Sequence, residues 1–282
     1  MTTMKLPDPN TVRRRLLHAG SSLALLGLLP PAARAATASA TSISMLEAIN
    51  QAGRQRMLSQ RMAKLYAQAI REVRQAEALK LIGESVVVFE KQLGNLRSFV
   101  QHKNATEVMA TYEQLDARWS AYKKVIGASP TSEGLRQVAA LNEQVLTAAN
   151  AGATQLEKLH GGSLGKLVNL SGRQRMLSQR ISKFYFFQRD GIASPDSVKN
   201  QDAARAEFLT AMNTLKQTPE NTHDINSWLA LAESQWMFFD QAVRADPSAK
   251  QELAYHDNNV AVTSENILQA MDKLTNLYAQ LS

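Results

Sequence analysis

The chain has 282 residues, of which 44% are hydrophobic and only 6% aromatic, and it contains no cysteine. That absence excludes disulfides, thiolate nucleophiles and cysteine-type zinc sites together. The formal charge of +7 is concentrated at the start, where Lys5, Arg13, Arg14, Arg15 and Arg34 stand against Asp8 alone; without these the remainder carries about +3, too little for the basic stripe of a nucleic-acid binder.

The first element is a leader. Arg13-Arg14-Arg15 precede an apolar stretch from Ala19 to Leu29, followed by Pro30-Pro31 and Ala33-Arg34-Ala35. A cationic start, a short apolar run and small residues at the cleavage positions read as a secretory signal peptide over residues 1–35, with a mature periplasmic protein beginning at Ala36. A stretch of eleven residues cannot span a bilayer, and no later stretch reads as a membrane helix. The paired arginines before Leu16-Leu17, with Gly and Ser in a mild apolar region, favour the twin-arginine route over the general secretory one, although Val12 stands where Ser or Thr is usual.

Ala, Leu, Gln, Glu and Lys dominate the rest, and the longest β-branched run is Val86-Val87-Val88, so the elements are helices. Breaks at Gly127 to Pro130, Gly161-Gly162, Gly191 to Pro195, Thr218-Pro219 and Asp246-Pro247 cut the second half into helices over 164–189, 197–216, 222–244 and 248–280. The first half maps onto these as 43–73, 77–101, 104–126 and 132–160.

The mapping rests on an internal repeat. Gly53-Arg54-Gln55-Arg56-Met57-Leu58-Ser59-Gln60-Arg61 recurs unchanged as Gly172 to Arg180, an offset of 119 residues, and the offset also carries Asn50 to Asn169, Lys64 to Lys183, Tyr66 to Tyr185 and Phe89 to Phe208. It slips to 117 at Trp119 and Trp236, and to 115 at Val145 and Val260, as loops of unequal length require. The chain is two copies of one unit. The fold expected is all-α, two tandem antiparallel up-and-down four-helix bundles over residues 43–160 and 164–282, side by side and parallel after the reversal at Gly161-Gly162.

On the first helix Met45, Ile49, Ala52, Arg56, Gln60 and Ala63 share one face, Leu58, Met62, Leu65 and Ala69 the opposite one, and Arg54 and Arg61 a third, solvated side. Ala52 and Gly53 suit close approach by a second helix. Arg56 interrupts that packing stripe, and a guanidinium removed from water requires an anionic partner. With the first helices of the two units in contact, Arg56 and Arg175 face each other, and a small anion between them would satisfy both forks, with Gly53 and Gly172 opening the backbone to it. The alternative is that the motif records duplication and helix packing, its arginines structural or solvated. Arg54, Arg173, Ser59, Ser178, Gln60 and Gln179 are secondary candidates, able either to donate to an anion or to bond across helices.

The string Ile49 to Met62 resembles the signature of the PilJ-type domain, named from type IV pilus methyl-accepting chemotaxis transducers and similar to the periplasmic sensor domain of nitrate/nitrite sensor kinases. The resemblance covers about 20 residues, twice. It implies a sensory bundle that binds nitrate or nitrite between two four-helix bundles through Arg56 and Arg175 and backbone near the glycines. Arg54 and Gln55 depart from the nitrate sensors. Those relatives signal through their own transmembrane helix; this chain ends at Ser282, so the expected partner is a separate membrane receptor.

Little other chemistry is legible. Glu157-x-x-His160 has di-iron spacing, but Asp272 and Thr275 align with it, so no metal or other cofactor is expected. No catalytic triad or phosphate loop is present, and an enzyme is the weakest reading. Two function classes remain: a soluble periplasmic sensor or binding protein for a small oxyanion, and a helical interaction scaffold whose outer arginines meet a partner's acidic side chains.

Overall fold

A computed structural model describes residues 43–192, 195–245 and 250–281; the leader read over residues 1–35, with its cleavage at Ala36, lies outside them. Eight helices follow in order: α1 Met45–Ile70, α2 Gln75–His102, α3 Thr106–Ile126, α4 Ser132–His160, α5 Ser163–Arg189, α6 Pro195–Lys216, α7 His223–Arg244 and α8 Lys250–Ala279. There is no strand among the described residues.

Local signals place most of the ends. Ser44 accepts a hydrogen bond from the Glu47 amide, Thr131 from that of Gly134 and Thr222 from that of Ile225, each capping the helix that follows. Gly161 closes α4 at φ 71°, the left-handed cap that turns the chain into α5. The turn after α1 uses Glu72 and Arg74 in the left-handed region at φ 59° and 50°, residues that no breaker rule would select.

The helices form two antiparallel four-helix bundles, α1–α4 and α5–α8. Each is anchored by a stacked aromatic pair at matching places: Trp119 lies 3.9 Å from Phe89, and Trp236 lies 4.1 Å from Phe208. All four rings are buried, as core anchors should be. The most extensive packing in the molecule is α1 against α5, across the two bundles. These helices run parallel, because Gly53 meets Gly172 near one end and Arg71 meets Asp190 near the other, both at the repeat offset. A Cβ on Gly53 would lie 3.7 Å from the Gly172 Cα, so the glycines mark the close approach.

Against this pair, α4 and α8 run antiparallel, α4 packing on both α1 and α5 and α8 likewise. The fourth helices therefore match by what they touch. Glu143 and Glu265 hold equivalent arginines, Asn142 and Ser264 equivalent glutamines, and Asn150 and Asp272 equivalent arginines of the seam. This register is an offset of 122, correcting the 115 read from Val145 and Val260. Seven residues are two helical turns, so both alignments preserve the apolar stripe, and only the polar contacts separate them.

Candidate functional site

Helix α1 is buried on nearly every side between Ala48 and Ala69, and α5 between Leu167 and Phe187. Two helices rich in polar side chains thus lie at the centre of the chain, and each buried polar group needs a partner inside the protein. The repeated motif supplies them in layers along the seam.

In the first layer Arg56 and Arg175, 1% and 0% exposed, cross to the opposite helix. Arg56 Nη2 donates to Asn169 Oδ1 at 2.6 Å and to its carbonyl oxygen at 3.3 Å; Arg175 Nη2 donates to Asn50 Oδ1 at 2.9 Å and to its carbonyl at 3.1 Å. Both Nη2 atoms lie 3.3 Å from the point a Gly53 Cβ would occupy, so any side chain there would crowd both guanidiniums. The Nη1 atoms turn to opposite flanks. Arg175 reaches the Asp272 carboxylate at 2.6 Å, whereas Arg56 reaches only the neutral Asn150 Oδ1 at 3.1 Å. The Nε of each arginine is buried with no hydrogen-bond partner.

The electrostatics follow. Burial, reinforced by Arg173 and Arg175, pushes the Arg56 pKa down to about 9; burial pushes that of Arg175 down to about 10 against the support of Asp272. Two cations here repel by roughly 2 kcal/mol at an effective dielectric near 20, and Arg56 has no carboxylate in contact; Glu157, beyond Asn169, supports its charge only weakly from a distance. The sequence candidates Arg56, Arg175, Gly53 and Gly172 are thus brought together. Asn50 and Asn169, flagged only as repeat positions, are their immediate partners.

The secondary candidates are engaged elsewhere. Ser59 and Ser178 donate to the carbonyls of Arg56 and Arg175 within their own helices. Gln60 donates to Asn142 and Gln179 to the Ser264 carbonyl. Arg54 pairs with Asp272 at 2.6 Å, and Arg173 holds Glu207 and donates to Asn150 at 3.2 Å. Arg61 and Arg180 pair with Glu265 and Glu143. The outer arginines are therefore ion-paired to neighbouring helices rather than solvated, because α8 covers the α1 side and α4 and α6 the α5 side.

A second layer has no counterpart in the sequence expectations. Lys64 and Lys183 are fully buried at the repeat offset. Lys64 donates to Ser264 and Glu265, and Lys183 to Gln60, Asn142 and Glu143. Burial lowers both lysines, Lys183 to about 8. Against its own burial, Lys64 and Arg61 hold the Glu265 carboxyl down at about 2. The available signal was a lysine repeated on a buried face. A third layer closes the far end, where Arg71 binds both Asp257 and Asp190.

His160 accepts from the Gly162 amide and Glu157 from the Asn169 side chain, so the pair with di-iron spacing serves the interbundle turn and the seam. No group of three or more His, Cys, Asp or Glu side chains among the described residues is placed to hold a metal ion. No helix among them is long and apolar enough to cross a membrane.

Residues 37–154 match the family model PilJ, described as the N-terminal region of type IV pili methyl-accepting chemotaxis transducers. The match spans most of the first bundle, and that family is a sensory and signalling one; a second copy rests on the repeated motif and the shared fold. No curated protein and no solved structure matches the chain.

Proposed function

We propose that this chain is an exported sensory module that binds a small oxyanion of the nitrate or nitrite type at the α1–α5 seam and passes its state to a separate membrane receptor in the periplasm. The observation that carries the reading is Arg56, a fully buried guanidinium with neutral acceptors only and an unpartnered Nε. A buried charge without a counter-ion costs several kcal/mol, and an incoming monoanion removes that cost while bonding to a preformed fork. The seam is the most extensive contact between the bundles, so a charge change there acts on their mutual packing, the two-state element a sensor needs. The PilJ match of the first bundle supports the sensory class. Export is supported by the arginine-led apolar segment ending at Ala35.

The scaffold reading is less well supported, since Arg54, Arg61, Arg173 and Arg180 all have carboxylate partners within the chain.

The test is a thermal-shift and calorimetric screen of the purified protein in low-salt buffer against nitrate, nitrite, sulfate, phosphate and chloride. At a hundred times Kd a ligand adds about 2.7 kcal/mol of stability, a rise of about 5–10 °C for a chain of this size. Indifference to every anion at millimolar concentration refutes the reading.

A further inference from the structure

The two flanks of the guanidinium layer are built alike and filled differently. On the α8 flank, Asp272 Oδ1 accepts from Arg175 Nη1 and from Arg54 Nη2, both at 2.6 Å. A carboxylate is clamped there between a buried arginine and an outer one, and the two guanidiniums hold its pKa below the usual range against its partial burial. On the α4 flank, the position related by the repeat is Asn150, whose Oδ1 accepts from Arg56 Nη1 at 3.1 Å and Arg173 Nη1 at 3.2 Å. The same two-arginine clamp therefore closes on a neutral amide, over longer bonds. Glu207 holds the Nε side of Arg173 and leaves its Nη1 turned inward.

The α4 flank also has a way in. Asn150 and Arg173 line a cleft of about 350 Å³ between α4, α5 and α6. Its counterpart of about 450 Å³, between α1, α2 and α8, ends on Asp272.

We infer that the oxyanion site is one-sided: a planar monoanion the size of a carboxylate enters the α4–α5–α6 cleft, displaces the Asn150 oxygen and bridges Arg56 and Arg173, whereas Asp272 permanently occupies the matching place between Arg175 and Arg54. The inference rests on the oxyanion reading and deepens it. It assigns one anion per chain, makes Arg173 a ligand residue and makes position 150 the determinant of occupancy. It also sets the ligand class: nitrate, nitrite, formate and acetate each carry, like Asp272, a single negative charge and an oxygen able to accept from both arginines at once, whereas sulfate and phosphate carry more charge than the one guanidinium without a contacting carboxylate offsets.

The decisive variant is Asn150→Asp, isosteric with the wild type and equivalent to the carboxylate that Asp272 already places on the opposite flank. It should lose nitrate and formate binding at least a hundredfold by calorimetry, and its Tm in anion-free buffer should exceed that of the wild type, because the new carboxylate neutralises Arg56 from within. Asn150→Ala, which vacates the position without adding charge, should bind within about fivefold of the wild type. Asp272→Asn should raise the nitrate stoichiometry from one to two. A wild type that binds no anion refutes the functional reading and this inference with it. A wild type that binds nitrate while Asn150→Asp binds it within threefold, or one that binds two anions, overturns the one-sided site and leaves the functional reading standing.

Discussion

Replacing each seam arginine by methionine, which keeps most of the side-chain volume, separates the two halves energetically. Arg56 makes three hydrogen bonds, to Asn150 Oδ1 and to the side chain and carbonyl of Asn169; bonds to charged groups are worth about 1.5–3 kcal/mol each. Against this stand the burial of a charge with no contacting carboxylate, several kcal/mol, and repulsion from the second cation, roughly 2 kcal/mol. The opposing terms are of similar size, so Arg56→Met should change anion-free stability by no more than about 1 kcal/mol. Arg175→Met also removes the bond to Asp272, which keeps Arg54 and some solvent contact. The extra cost is about 2 kcal/mol, below the roughly 3–5 kcal/mol for breaking a fully buried pair, because Asp272 is partly exposed and keeps Arg54.

At about 2–4 °C per kcal/mol, Arg175→Met should therefore melt about 4–8 °C below Arg56→Met, read by circular dichroism in low-salt buffer. Saturating nitrate should raise the Tm of the wild type and leave that of Arg56→Met unmoved. Equal losses in the two variants would refute the reasoning, since they would mean that Arg56 is compensated as fully as Arg175. The symmetry of the sequence motif suggests equal effects, and the difference between Asn150 and Asp272 predicts unequal ones.

Gly53→Ala should fail to gain the roughly 1 kcal/mol of helix propensity that alanine brings, because its Cβ would sit 3.3 Å from both guanidiniums; exposed Gly94 in α2, with nothing within 4 Å, should gain it, and an equal gain at both positions in urea unfolding would deny the close approach. Lys183 titrates near 8 in the fold, below its ordinary 10.5, with Glu143, Arg180, Gln60 and Asn142 around it. The unfolded chain binds the extra proton between those values, so stability should rise as pH increases from about 8 towards 10, and Lys183→Met should flatten that rise; an unchanged slope would remove Lys183 as its source. Replacing Arg13 and Arg14 by Lys should block export if the twin-arginine route operates, and normal appearance of the protein in a periplasmic fraction would assign the general secretory route.

The helices of the second bundle could be read from periodicity and breakers because Gly or Pro stands at its turns, and those of the first followed by mapping through the repeat. The boundaries after α1 and α2 carry neither residue: Glu72, Arg74 and Asn104 adopt left-handed backbone without glycine. The seam was legible for a different reason: Arg56 on an apolar stripe beside Gly53 is a local conflict, and such conflicts mark sites. Its counter-charges were not legible. Glu143, Glu265 and Asp272 look like ordinary solvated positions of α4 and α8, and only the two-turn shift of register brings them against the arginines. Arg54 and Arg61 look solvated for the same reason, since the helix that covers them comes from the other bundle.

Carrying both halves in one chain has a chemical consequence. In a homodimer of a single bundle, every residue on the two-fold seam appears twice, so the acceptor facing one buried arginine must equal the acceptor facing the other. A carboxylate there would neutralise both clamps, and an amide would leave both open. Duplication within one chain removes the constraint. Position 272 can supply Asp while position 150 supplies Asn, one half holding the fold with an internal counter-ion and the other left to respond to an external one. The cost of an uncompensated guanidinium is then borne once rather than twice, and binding of a single anion changes the charge on one flank of the seam only. The response expected of such a seam is a tilt of one bundle against the other about the Gly53–Gly172 contact, rather than a symmetric opening. Distances between spin labels on exposed Val87 in α2 and Val198 in α6, measured with and without nitrate, should shift, whereas the Asn150→Asp variant should give one distance under both conditions.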